Sequence, residues 1–216
     1  AKWYRDRYLL KNIHIVRNLP DLKEVKMKNV KNIISKFQIN KNKLLFCYQG
    51  ILSDERQSLK LAKFFSKQPK IGQILFIGFG PDEINIKQFA EKYENIFYCP
   101  PLKLNDLYST LKKVDVCFSL FKTMNLNQKF ALPNKIFESF SAGKPVIVNV
   151  GGEPQNLIEK LNAGWTINSI DKDLKKLILN LTKNKIKLKS KNALNASKNL
   201  NWSNEEKKLF LIYKNR

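Results

Sequence analysis

Apolar residues in this 216-residue chain gather into six short runs: Lys43 to Tyr48, Gln73 to Gly78, Asn95 to Cys99, Val114 to Leu120, Pro145 to Val150 and Trp165 to Asn168. Short continuous runs of this kind, rich in aliphatic and aromatic side chains, predict strands covered on both faces. Between them the period changes: Leu59, Ala62 and Phe65, then Phe89, Ala90 and Tyr93, recur at the spacing of one helix face. Strand and helix alternate, which implies right-handed crossovers and an α/β fold, a doubly wound parallel sheet of about six strands. Ligands of such sheets bind beyond the carboxyl ends of the strands. The residues to inspect are therefore 49–56, 79–82, 100–102, 121–138 and 151–154.

The ends depart from this rhythm. Residues 1–12 read as a linker from a preceding domain, with Ile13 to Val16 as an optional short strand before the turn at Asn18 to Asp21. The sheet domain is expected over 13–200, and a separate C-terminal helix over 201–216. Ser203 is its predicted cap, with Glu206 three residues on in capping-box spacing.

Forty Lys and Arg against eighteen Asp and Glu give a formal charge of +22. That attracts phosphate-bearing partners without choosing among nucleotide, lipid and nucleic acid. Equally heavy use of Asn and Ile makes a compositional bias the plainer source of the lysines. Cys47, Cys99 and Cys117 each sit in an apolar run without metal-ligand spacing, so buried thiols in a reducing, cytoplasmic compartment are expected. No apolar stretch nears the ~20 residues that span a bilayer, and no signal-peptide core opens the chain. Any membrane contact is expected to be peripheral, at the inner face of the plasma membrane. Ala1 in place of Met suggests a processed or excised segment.

Candidate chemistry concentrates where Pro133 opens a helix bearing Asn134, Lys135 and Glu138, with Ile136, Phe137 and Phe140 facing the core. Proline is tolerated in a first turn because its missing N–H has no helical partner there. Free amides and the positive dipole end favour a phosphate, to which Lys135 adds a full charge. Glu138 follows one turn later on the same side. The competing reading is a surface ion pair between Lys135 and Glu138, worth at most ~1 kcal/mol.

The stretch Ala131-Leu132-Pro133-Asn134-Lys135-Ile136-Phe137-Glu138, continued by Ser139 to Ile147, resembles the donor-binding motif of GT-B-type group 1 glycosyltransferases. It is similar in particular to members acting in bacterial surface-polysaccharide assembly, of capsule or lipopolysaccharide. Tyr48-Gln49-Gly50 with Arg56 resembles that family's first glycine turn, and Gly78-Phe79-Gly80-Pro81 its second. Pro100-Pro101-Leu102 resembles its nucleotide-base loop, and Gly151-Gly152-Glu153-Pro154 its closing glycine loop.

The resemblance implies the donor-binding, Rossmann-like half of a GT-B fold and a nucleoside-diphosphate sugar, UDP-linked, as donor substrate. Arg56 and Lys135 would stabilise the leaving diphosphate and Glu138 would hold the ribose hydroxyls. Gly50, Gly78, Pro101, Leu102, Asn134, Gly151 and Gly152 would line the donor. Neither a cofactor nor a metal is expected. A glycan or polyprenyl-linked acceptor would be presented by a missing N-terminal domain, to which the C-terminal helix crosses back. The pattern departs at Phe130, where many relatives carry an acid eight positions before the glutamate, so retention of anomeric configuration stays open. The family's usual lysine after the arginine is absent unless Lys60 supplies it.

Other motifs are weaker. Gly78-x-Gly80 lacks the third glycine of a dinucleotide fingerprint, since that position is Glu83. Asp171-Lys172-Asp173 reads as a cap and acidic first turn rather than a metal site. His14, the single histidine, reads as structural. The basic, leucine-striped stretch Lys172 to Lys191 reads as a helix packed on the sheet, with an anionic membrane face as the alternative. Two other functions compete: a GT-B-fold nucleotide-sugar epimerase, and a basic nucleic-acid-binding protein supported by charge alone, so no nucleic-acid partner is expected.

Overall fold

The computed structural model describes residues 2–11, 13–21, 33–122, 125–149 and 151–214. Six strands form within them: β1 (Leu45–Gln49), β2 (Gln73–Ile77), β3 (Ile96–Cys99), β4 (Val116–Ser119), β5 (Val146–Asn149) and β6 (Gly164–Ile167). All six fall on the expected runs; Val150, the expected end of the fifth, lies outside the described residues, as does Asn12. Their order is β3-β2-β1-β4-β5-β6, every pair parallel. Burial follows from that order. The four inner strands are buried along their whole length, while the edge strands β3 and β6 keep half-buried residues.

Among the described residues ten α-helices flank the sheet or close the ends: α1 (Lys2–Tyr8), α2 (Ser58–Lys67), α3 (Glu83–Lys92), α4 (Leu104–Leu111), α5 (Leu126–Phe130), α6 (Asn134–Ser141), α7 (Gly152–Leu161), α8 (Lys175–Leu179), α9 (Lys183–Ser197) and α10 (Trp202–Lys214). Alternation along each strand divides the core. Cys47, Leu75, Cys117 and Val148 pack with Leu111, Ile136, Phe140 and Ile158 on one face. Phe46, Phe76, Phe118 and Ile147 pack with Leu61, Phe65, Ile86 and Leu174 on the other. Helices thus cover both faces, as a doubly wound sheet requires. All three cysteines are free and buried. Among the described residues no helix is long and apolar enough to cross a membrane.

Several expectations at the ends are corrected. Residues 13–16 form no strand, and His14 is exposed rather than built into the core. This segment runs extended beside α10: the Arg17 amide donates to Glu205 Oε2 at 3.0 Å and the Trp202 amide to the Pro20 carbonyl at 3.2 Å. Helix α10 is capped by Asn201, whose Oδ1 accepts the Asn204 amide at 3.1 Å, so Ser203 already lies inside the helix. Asp171 and Asp173 do lie in a first turn, the π-helical turn Ile170–Leu174, whose cap is Ser169.

Candidate functional site

In the order β3-β2-β1-β4-β5-β6 the connections leave β1 and β4 toward opposite edges, opening a crevice at their carboxyl ends. Here β1 ends in Gln49, and Gly50 begins the turn after it. Gly50 has φ +107°, and a side chain on Gly78 behind it would place Cβ only 1.9 Å from the Gly50 carbonyl oxygen. The two glycine turns therefore stack directly, backbone on backbone.

The loops after β1 and β4 are tied to each other. Gln57 holds a left-handed conformation, φ 58°, and donates its side-chain amide to the Phe121 carbonyl. The Lys122 amide donates to the Glu55 carbonyl at 2.7 Å, and Gln128 Nε2 to Glu55 Oε1 at 2.6 Å. Helix α5, within the segment 121–138, is held by a full capping box between Asn125 and Gln128. These bonds fix Arg56, whose guanidinium lies 5.3 Å from the centre of the Phe121 ring.

Helix α6 starts at Asn134, with Pro133 at the capping position in extended geometry rather than in the first turn. Pro133 offers no side-chain cap, and among the described residues the Asn134 and Lys135 amides have no acceptor. That leaves an open helix N-terminus facing the crevice. Lys135 is 9% exposed; its side chain passes Gly50, and its ammonium lies 4.5 Å from the centre of the Tyr48 ring. No carboxylate pairs with it among the described residues, so the surface ion-pair reading is wrong. Burial, reinforced by the Arg56 charge and opposed by Glu138, lowers its pKa to about 7. Burial likewise pushes Glu138 up, against the pull of Lys135.

Glu138 is oriented by a residue to which the sequence reading gave no role. Gln49 Nε2 donates to Glu138 Oε2 at 2.8 Å and to the Lys135 carbonyl at 3.4 Å, while its Oε1 is buried without a partner among the described residues. The available signal was a polar residue ending a fully buried strand.

Arg56, Lys135, Glu138 and Gly50 thus meet at one point, with Gly78 behind them. Asn134 is exposed on the lip of a neighbouring cavity of about 910 Å³, lined also by Trp3, Tyr4, Phe130, Phe137 and Glu153. Pro101 and Leu102 stand apart, beyond β3, in a depression of about 600 Å³ with Lys36 and Tyr98. Gly151 and Gly152 begin α7. The Gly151 amide is taken by Gln155 Oε1 at 2.5 Å, and Gly152 closes against the Lys129 backbone. Lys60 is drawn off to Asp171 at 2.6 Å, so it supplies no second cation near Arg56.

No family model and no curated protein matches this sequence. Solved structures do. HepE of Anabaena in complex with UDP-glucose superposes with TM-score 0.66 at 14% identity, over 81% of this chain and 50% of that one. WaaG, a glycosyltransferase involved in lipopolysaccharide biosynthesis, gives 0.60 at 16%, over 78% and 46%. A glycosyltransferase from Rickettsia africae gives 0.72 at 14%, over 99% and 60%. The chain therefore spans about half the length of these proteins. The likeness is one of fold, and at that level the resemblance read from the sequence is borne out: the sheet domain has the same Rossmann-like fold as one part of those glycosyltransferases.

Proposed function

We propose that this chain is the donor-binding domain of a glycosyltransferase that takes a sugar from a nucleoside diphosphate, UDP-linked by preference. The observation that carries the reading is Lys135, a buried ammonium with no ion pair among the described residues, beside the open N-terminus of α6 and the Gly50 turn. Burying a cation without a counter-charge is costly unless a ligand supplies one. A diphosphate fits: it takes the free amides at Asn134 and Lys135 and the helix dipole, and it neutralises Lys135 and Arg56 together. The UDP-glucose held by HepE, on the same fold, supports this class of ligand.

In the transfer step the sugar–phosphate bond lengthens, and negative charge grows on the leaving diphosphate. Preorganised amides and cations stabilise that charge more in the transition state than in the ground state. Glu138, held by Gln49, is assigned to the ribose hydroxyls, and the backbone at Pro101 and Leu102 to the base. No metal or cofactor is needed in this scheme. The acceptor, a glycan or polyprenyl-linked sugar of cell-surface polysaccharide assembly, would be presented in the cytoplasm by a second domain.

Calorimetry of the chain against UDP, GDP and ADP sugars tests the reading. UDP-sugar binding is expected, and Lys135→Ala should weaken it by roughly 10- to 100-fold, the worth of a charge-assisted hydrogen bond. Absence of binding to all three donors would overturn the proposal.

A further inference from the structure

Between Asp173 and Glu205 the sequence has eight lysines and no acidic residue. Helix α9 occupies the middle of that stretch, and its two sides differ. Ile186, Ala193, Ala196 and Ser197 are buried, with α6 and α7 as the packing partners. Two of its lysines are used locally. Lys189 donates to Asn162 Oδ1 at 2.6 Å and lies over the Trp165 ring, and Lys185 donates to the Asn180 carbonyl at 3.0 Å. The outer side carries Lys187, Lys191 and Lys198, all exposed and without ion pairs among the described residues.

Leucines share that outer side. Leu188 is 55% exposed and Leu194 47%, and together with Ala142, Gly143, Lys187 and Lys191 they line a shallow groove of about 660 Å³. Two exposed leucines set among these lysines make the outer face amphipathic rather than uniformly polar. Helices that rest on a bilayer surface combine apolar side chains that enter the acyl boundary with lysines that meet anionic headgroups. A nucleic-acid surface would call for cations and stacking rings, and no aromatic residue lines this groove.

We infer that the outer face of α9, with the Ala142-Gly143 turn, is a contact surface for an anionic phospholipid bilayer. The groove lies at the far end of α6 from Asn134, about 12 Å along the helix axis at 1.5 Å per residue. Lipid there leaves the N-terminal end of α6 open. The inference does not rest on the donor reading, because vesicle binding is measured without nucleotide.

The test is co-sedimentation of the full chain with phosphatidylcholine vesicles, with and without phosphatidylglycerol. Binding is expected only with phosphatidylglycerol, and it should weaken as salt rises. Lys187→Glu with Lys191→Glu should lower it at least tenfold, since each lysine near an anionic surface is worth about fivefold. Leu188→Ser with Leu194→Ser should lower it severalfold and make the remainder easier to remove with salt. All four positions are exposed, and circular dichroism of each variant checks that it folds. Equal binding to neutral vesicles, or full binding by the lysine variant, overturns the inference. So does a leucine variant that binds normally while an RNA homopolymer displaces the protein, which would mark a general polyanion surface.

Discussion

Lys135 shows most clearly what a single residue contributes here. With its pKa at about 7 against an ordinary 10.5, the folded protein binds fewer protons than the unfolded chain between those values. Stability therefore rises with pH across that window, and the full penalty of the buried ammonium is present below it. Lys135→Met should stabilise the fold by roughly 1–4 kcal/mol near neutral pH, an advantage that shrinks toward pH 10.5 in urea titrations. The same variant should lose donor binding. In the native chain, UDP-sugar affinity should fall as pH rises through about 7, at most about tenfold per unit, with proton uptake on binding above that pH. Calorimetry in buffers of different ionisation enthalpy measures the uptake. A flat pH profile would remove Lys135 from the donor site. The sequence made Lys135 legible as a candidate through its place at a helix start, but not its burial. That depends on Tyr48 and Gly50, more than eighty residues earlier, and no local pattern reports it.

At the scale of elements, all six strands were readable because parallel strands buried on both faces leave uninterrupted apolar runs. Helix starts were less readable. Pro133 fits a capping position as well as a first turn, and Asn201 competes with Ser203 for the start of α10 because both side chains can accept an amide. Helix α5 is only five residues long and shows no period, so the capping-box spacing of Asn125 and Gln128 has no apolar stripe after it to mark a helix. Asn125→Ala should cost about 1 kcal/mol and loosen the Glu55 to Gln128 link that steadies the Arg56 loop. Packing of the glycine turns is the stricter constraint. Gly78→Ala, with Cβ 1.9 Å from the Gly50 oxygen, must displace one backbone or the other, at a cost of about 3 kcal/mol. Its melting temperature should drop far more than that of Asn125→Ala, and comparable losses would mean that the turns are not held in contact.

For the whole molecule, the two ends of the described chain meet on one carboxylate. Glu205 is fully buried on α10, accepts the Arg17 amide at 3.0 Å and pairs with Lys208 at 2.5 Å. Arg17, Ile15 and Trp3 belong to the wall of the cavity beside Asn134, so this junction shapes one side of the candidate site from the far end of the sequence. Phe210, Leu211 and Tyr213, farther along α10, are exposed. One part of the helix is thus fixed to this domain, and another is exposed. Glu205→Ala removes the acceptor from a backbone amide and the partner from Lys208, a loss of roughly 1–3 kcal/mol for a hydrogen bond to a charged group. Because the sheet is built without this junction, the loss should be local. The Arg17 amide should exchange with solvent much faster and residues 13–21 should become sensitive to protease, while amides of β1 and β4 keep their protection. Hydrogen exchange read by mass spectrometry separates the outcomes. Unchanged exchange at Arg17 would show that the extended segment is held by other contacts, and loss of protection across the sheet would make Glu205 a support of the fold rather than of its end.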